Sequence, residues 1–142
     1  MTEIMQKALN IAKTSGKDLP IGAIIVKNGE IIACACNEQE KRSDITAHAE
    51  ILAIREAEKK LKNWRLNGCT MYVTLEPCPM CAWAILRSRI DNLIFGAYDT
   101  VYGAFSTLPE LIKMSNSPLK IKGGIMESEC RQILENYFKE LR

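Results

Sequence analysis

Residues 69–98 read CTMYVTLEPCPMCAWAILRSRIDNLIFGAY, and the order of patterns within them decides the fold. "CTMYVTL" is short, β-branched and aromatic, which predicts a strand. "PMCAWAILRSR" continues as a helix, with Pro79 suited to its first turn. "NLIFGAY" repeats the strand pattern. A helical crossover returns the chain in its original direction, so the two strands run parallel.

Working outward, "TAHAEILAIREAEKKL" upstream is a run of strong helix formers that starts near His48 and closes on Lys59 and Lys60, the favourable sign for a helix C-terminus. Before it, "IGAIIVKNGEIIACAC" holds two β-rich runs around Asn28-Gly29, a strong hairpin signal. The polar stretch "NEQEKRSD" between hairpin and helix reads as a loop. At the N-terminus, Ile4, Ala8, Leu9, Ile11 and Ala12 keep helical spacing, with Thr2 as N-cap and Gly16 just past the end. Downstream come "LPELIKM", a weak strand in "LKIKGGI" and a final amphipathic helix, "SECRQILENYFKELR". The sum is an α/β sandwich whose later strands are parallel. No linker is long enough to divide it, so residues 1–142 are expected to form a single domain.

Composition narrows the function classes. With 47% hydrophobic and 25% charged residues the chain reads as an ordinary globular protein and not a disordered one. Its apolar runs are far shorter than the roughly 18–20 residues needed to span a bilayer, and the charged N-terminus does not read as a signal peptide, so no membrane partner is expected. Six cysteines without a secretion signal point to a reducing compartment, the cytoplasm by default. A net charge of +2 does not by itself announce a nucleic-acid binder.

The chemistry concentrates at two predicted helix starts. Cys78 and Cys81 stand three apart, so one helical turn brings both sulfurs to the same side, with Trp83 roughly opposite. The helix N-terminus favours their thiolate forms. The chain has a single histidine, His48. Three protein ligands from His and Cys, with the fourth position left to water, is the arrangement of a catalytic zinc site, whereas a structural site has four. Two residues on stands Glu50, a carboxylate able to take a proton from a water whose pKa zinc lowers to about 7. Residues two apart face opposite ways on an ideal helix, so His48 and Glu50 converge only if the helix begins irregularly there. Cys34, Cys36, Cys69 and Cys130 read as small buried or incidental residues.

"TAHAE" followed by "EPCPMC" matches the H-x-E…P-C-x-x-C pattern of zinc nucleobase deaminases. With "LPIGAIIV", "NWRL", "SRIDNLIFGAYD" and the closing "YF", the chain resembles the bacterial tRNA-specific adenosine deaminases of the cytidine deaminase-like superfamily. That resemblance implies a three-layer α/β/α sandwich with a mixed five-stranded sheet and flanking helices. It implies a homodimer, one Zn2+ per subunit, and conversion of adenosine to inosine at the wobble position of a tRNA anticodon stem-loop. Carried over by position, His48, Cys78 and Cys81 are the zinc ligands and Glu50 the proton shuttle. Asn37 matches an asparagine that hydrogen-bonds the target base, Asp99 an aspartate near the neighbouring nucleotides, and Phe138 an aromatic near the RNA. Taken alone, Asn37 and Asp99 also read as turn or cap residues, and Phe138 as core. Lys62, Arg65, Arg87, Arg89, Lys139 and Arg142 are candidate phosphate contacts, or simply a solvated face.

Three departures stand against the family pattern: Trp83 where a small residue is common, Tyr98 where arginine is frequent, and an end soon after "YFKELR" without a long basic tail. They leave the zinc chemistry intact and predict fewer backbone contacts with RNA. Two other readings remain at this level, a deaminase of free guanine or cytosine bases or nucleotides on the same fold, and a zinc-stabilised binding module without catalysis.

Overall fold

A computed structural model describes residues 1–141. The chain opens with helix α1 (Thr2–Ala12), followed by strands β1 (Gly22–Lys27) and β2 (Glu30–Cys36), a four-residue helix α2 (Gln39–Arg42) and the long helix α3 (Ala49–Leu61). Strand β3 (Cys69–Leu75), helix α4 (Pro79–Arg87) and strand β4 (Asn92–Ala97) form the central crossover. Helices α5 (Ala104–Thr107) and α6 (Pro109–Ser115), strand β5 (Lys120–Lys122) and helix α7 (Glu127–Glu140) complete it.

The five strands form one mixed sheet in the order β2-β1-β3-β4-β5. β1 pairs antiparallel with β2 and β3, while β3, β4 and β5 run parallel. The hairpin turns on Asn28 and Gly29, at φ 51° and 75°. Two positive-φ residues in succession are what a tight hairpin of the right twist requires. Side chains alternate across the pleat: Met71, Val73, Leu93 and Phe95 enter the core beneath α3 and α4, while Ile24 and Ile94 face the other layer. That other layer is α1, burying Met5, Ala8, Leu9 and Ala12 at helical spacing, together with α7 through Cys130. The result is the expected three-layer α/β/α sandwich.

Small residues set the layer distances. Ala49, Ala53 and Ala57, spaced four apart, line the inner face of α3, so its backbone lies close over β1 and β2. On the other face, a Cβ at Gly22 would strike the Ala8 carbonyl and the Ala12 nitrogen of α1.

Three local expectations are corrected. Thr2 is already helical, and Met1 holds the cap position without a side-chain bond. The polar stretch 37–44 is not wholly loop. Asp18, buried, accepts the backbone N–H of Glu40 (2.7 Å) and of Lys41 (3.1 Å) and so stabilises α2 from 22 residues away. Cys34 is exposed and Cys36 half-buried, because β2 is an edge strand; Cys69 and Cys130 are buried as expected.

Candidate metal centre and active site

β3 and β4 end together, with Leu75 opposite Ala97, and the antiparallel β1 begins and β2 ends at that same edge, with Gly22 opposite Cys36. Candidate residues leave the sheet here: Asn37 after β2, Glu76 to Cys78 after β3, and Asp99 after β4. The edge beyond the carboxyl ends of parallel strands is where open α/β sheets bind ligands.

Helices α3 and α4 both start at this edge. His48 is the N-cap of α3 and Cys78 the N-cap of α4, each with extended backbone (φ −77°, ψ 151° and φ −72°, ψ 171°). The break from extended to helical backbone at His48 is the irregular start that the sequence required, and Glu50, in the first turn, lies near His48, Cys78 and Cys81. His48 Nδ1 lies 3.7 Å from Cys78 Sγ and 3.5 Å from Cys81 Sγ. Tetrahedral zinc, with Zn–S of about 2.3 Å and Zn–N of about 2.0–2.1 Å, implies an N-to-S edge of about 3.5 Å. All three ligand atoms fall within 4.8 Å of one another, and among the described residues no other cluster of this kind occurs. The donor set fits zinc.

Electrostatics agree with a site built for a cation. Donation from the Cys81 thiol, and secondarily from His48, holds Cys78 down to about 4, so it is a thiolate at neutral pH. Cys81 is pushed up as the partner that keeps the shared proton, and the bond to Cys78 likewise raises His48. A doubly charged ion bound by the three would take over the role of that proton. Glu50 is 4% exposed and burial pushes its carboxyl up to about 7. Its Oε1 is fully buried without a hydrogen-bond partner among the described residues. A buried carboxyl oxygen left unpaired costs free energy unless something absent from the protein fills the place.

Asn37 is buried, and its Oδ1 accepts the Ala49 N–H at 3.0 Å. His48 makes no side-chain cap bond to α3, so capping passes to Asn37, twelve residues before Ala49. Among the described residues the Asn37 Nδ2 group has no partner, and it is not one of the fully buried unpaired atoms. Asp99 Oδ1 accepts the N–H groups of Val101 and Tyr102 at 3.0 and 2.9 Å, the turn-cap role its residue type suggests. Phe138 is 50% exposed, which rules out plain core packing, and it meets Tyr137 edge-on at 5.4 Å. Tyr137 donates its hydroxyl to the Lys17 carbonyl, in the segment leading to β1. The end of α7, with Phe138 and Lys139, therefore stands at the site's end of the sheet.

Other candidates lie elsewhere. Because α3 and α4 run away from the site, Lys62, Arg65, Arg87 and Arg89 gather at the far end. There Arg65 and Arg89 flank the Trp64 ring at 4.4 and 5.8 Å. Arg87, Arg89 and Lys120 line a cleft of about 430 Å3. Arg142 lies outside the described residues. Trp83, half-buried, packs on the core beneath α4, with Arg87 5.9 Å from its ring centre.

Sequence reasoning gave no role to Glu76 or Asp18. Both are buried carboxylates that accept backbone N–H groups 22–30 residues away, and Glu76 accepts the Ser106 hydroxyl as well. The only signal was an acidic residue inside an otherwise apolar or turn-like stretch, "LEP" and "KDLP".

A MafB19-like deaminase family model matches residues 1–142. The tRNA-specific adenosine deaminase of Bacillus subtilis is 46% identical over 142 residues, covering 97% of this chain and 88% of the relative. The chain belongs to the tRNA-specific adenosine deaminases. A solved structure from work on A-to-I editing by tRNA:A34 deaminases at the wobble position superposes on this deaminase with a TM-score of 0.90. It is 40% identical and covers 94% of this chain and 100% of its own. The guanine deaminase of Nitrosomonas europaea shares the fold, with a TM-score of 0.84 at 20% identity over 96% of this chain and 83% of its own. Among the described residues of this deaminase no helix is long and apolar enough to cross a membrane.

Proposed function

We propose that this chain, acting as one deaminase domain over residues 1–142 in the cytoplasm, converts adenosine to inosine at the wobble position of a tRNA anticodon. The observation that carries the chemistry is the buried Glu50 carboxyl, its Oε1 unpaired among the described residues, beside a group of three His and Cys ligands. The names of its relatives support the substrate.

His48, Cys78 and Cys81 would hold one zinc ion per subunit, which would supply a water of lowered pKa. Glu50 accepts a proton from the attacking water and passes it to N1 of the purine as C6 is attacked. It then moves the second water-derived proton to the amino group, which leaves as ammonia. Water and adenosine thus become inosine and ammonia, and Glu50 returns to its starting state. Asn37, with Oδ1 committed to Ala49, offers Nδ2 to an acceptor on the base. Such a pocket cannot reach a stacked base, so the nucleotide is taken extruded from a single-stranded loop. Asp99, Phe138 and Lys139 meet the nucleotides around it.

The protein works as a homodimer that covers the face around Trp83. Trp83→Ala shifts sedimentation toward the monomer under this reading, and an unchanged profile removes Trp83 from the interface. For the reaction itself, the purified protein is assayed on an anticodon stem-loop beside free adenosine, guanine and cytosine. Inosine in the stem-loop is the expected product; turnover of free bases alone overturns the tRNA assignment.

A further inference from the structure

Glu76 lies two residues before Cys78 and is 2% exposed. Its carboxylate has three donors, all from the segment after β4. Oε1 accepts the Asp99 N–H at 3.1 Å and the Ser106 hydroxyl at 2.8 Å, and Oε2 accepts the Ser106 N–H at 2.7 Å. Two backbone bonds run alongside, from Glu76 N–H to the Ala97 carbonyl and from Ala104 N–H to the Pro77 carbonyl, both 2.9 Å. Gly103 packs so closely on this carboxyl that a Cβ there would strike Glu76 and the Asp99 carbonyl. The segment so fixed carries Asp99, whose own carboxylate folds the next turn and leaves Val101 and Tyr102 69% and 68% exposed beside the site.

We propose that Glu76 is a positioning residue for substrate binding: it fixes the 98–106 segment to the root of α4, so that Asp99, Val101 and Tyr102 form a rigid rim next to the metal ligands. The physical reason is specific to a carboxylate. A buried anion with two oxygens satisfies three donors at once, and bonds to charged acceptors are the stronger kind. Glutamine at this place has one acceptor oxygen and turns an N–H2 group toward donors, so at least one bond is lost. The candidate metal ligands are held by the first turns of α3 and α4, not by the 98–106 segment, so the rim can loosen while their grouping persists. A rim of this kind acts on capture of the nucleotide more than on the bond-breaking step. This rests on the deaminase reading above, and the test separates the two.

The experiment uses the zinc-loaded protein and two variants, Glu76→Gln and the milder Ser106→Ala, with Ser106→Thr as the conservative rescue. Amide hydrogen exchange of Asp99 and Ser106 is expected to quicken at least tenfold in Glu76→Gln and less in Ser106→Ala, with Ser106→Thr close to the parent. Zinc content stays near one per chain. KM for an anticodon stem-loop rises about tenfold in Glu76→Gln while kcat changes less than threefold. Unchanged exchange at both amides overturns the proposal whatever the substrate proves to be, and so does a loss confined to kcat. If Glu76→Gln does not fold, Ser106→Ala decides by the same two readouts. A parent protein inactive on the stem-loop refutes the substrate assignment instead and leaves the exchange result to judge the rim.

Discussion

Asn37 is read here as doing two jobs with the two ends of one amide, and substitution can separate them. Its Oδ1 caps α3 through the Ala49 N–H, buried, at 3.0 Å, where the cap residue His48 is committed elsewhere. Asn37→Ala strands that N–H. Loss of a helix cap costs about 0.5–2 kcal/mol, and a buried unsatisfied donor about 1–3 kcal/mol. We therefore expect a loss of about 1–2 kcal/mol, which for a chain of this size lowers Tm by about 3–8 °C. Asn37→Asp keeps an acceptor in the same place, at a helix N-terminus that favours negative charge by about 0.3–1 kcal/mol. It should recover most of the lost stability. Both variants lack Nδ2. If that group binds the base, both lose about 10- to 100-fold in kcat/KM, the equivalent of a hydrogen bond worth about 1.5–3 kcal/mol. Thermal melts and single-substrate kinetics on the stem-loop give the two readings. Asn37→Ala melting with the parent would refute the capping role, and Asn37→Asp with parental kcat/KM would refute the donor role.

Glu50→Gln should lower kcat by about 10²–10⁴ with zinc still near one per chain by atomic absorption; zinc loss would mean that Glu50 is a ligand and not a proton carrier. Gly22→Ala forces a Cβ against the Ala8 carbonyl of α1, so calorimetry should show a loss of about 1–3 kcal/mol from overpacking; an unchanged Tm would show that α1 can lift freely. Burial pushes the Cys130 thiol up to about 12. It therefore stays protonated across pH 7–9, and brief alkylation of the native protein at pH 8 should mark exposed Cys34 and spare Cys130 until denaturant is added. Early labelling of Cys130, read by peptide mass, would contradict its packing against Gly96.

Much of the fold was legible because its determinants are local. Asn28-Gly29 specifies its turn, Pro79 opens α4, and the β-helix-β order from 69 to 98 dictates parallel strands. The grouping of His48, Cys78 and Cys81 was legible for the same reason: each sits at a helix start that the sequence marks. What escaped is non-local. α2 is stabilised by Asp18, whose partners are 22 and 23 residues away, so "NEQEKRSD" looked like loop. Glu76 was hidden likewise, its donors being two backbone N–H groups and a serine hydroxyl 23 and 30 residues on. The convergence of His48 and Glu50 depended on extended backbone at a single residue, which periodicity does not encode. The scattering of Arg65, Arg87 and Arg89 to the far end follows from the direction of α3 and α4, a property of the assembled sheet.

The candidate metal ligands and Glu50 rise from the first turns of two helices rooted in the core, whereas Asn37, Asp99 and Phe138 come from a strand end, a turn and the last helix. On the proposed mechanism, bond cleavage and choice of base reside on separate stretches of backbone, which can drift at different rates. A lineage, or an engineer, can redraw the rim from residues 98 to 106 and the end of α7 to admit another amino-substituted heterocycle, and inherit an intact hydrolytic centre without re-inventing it.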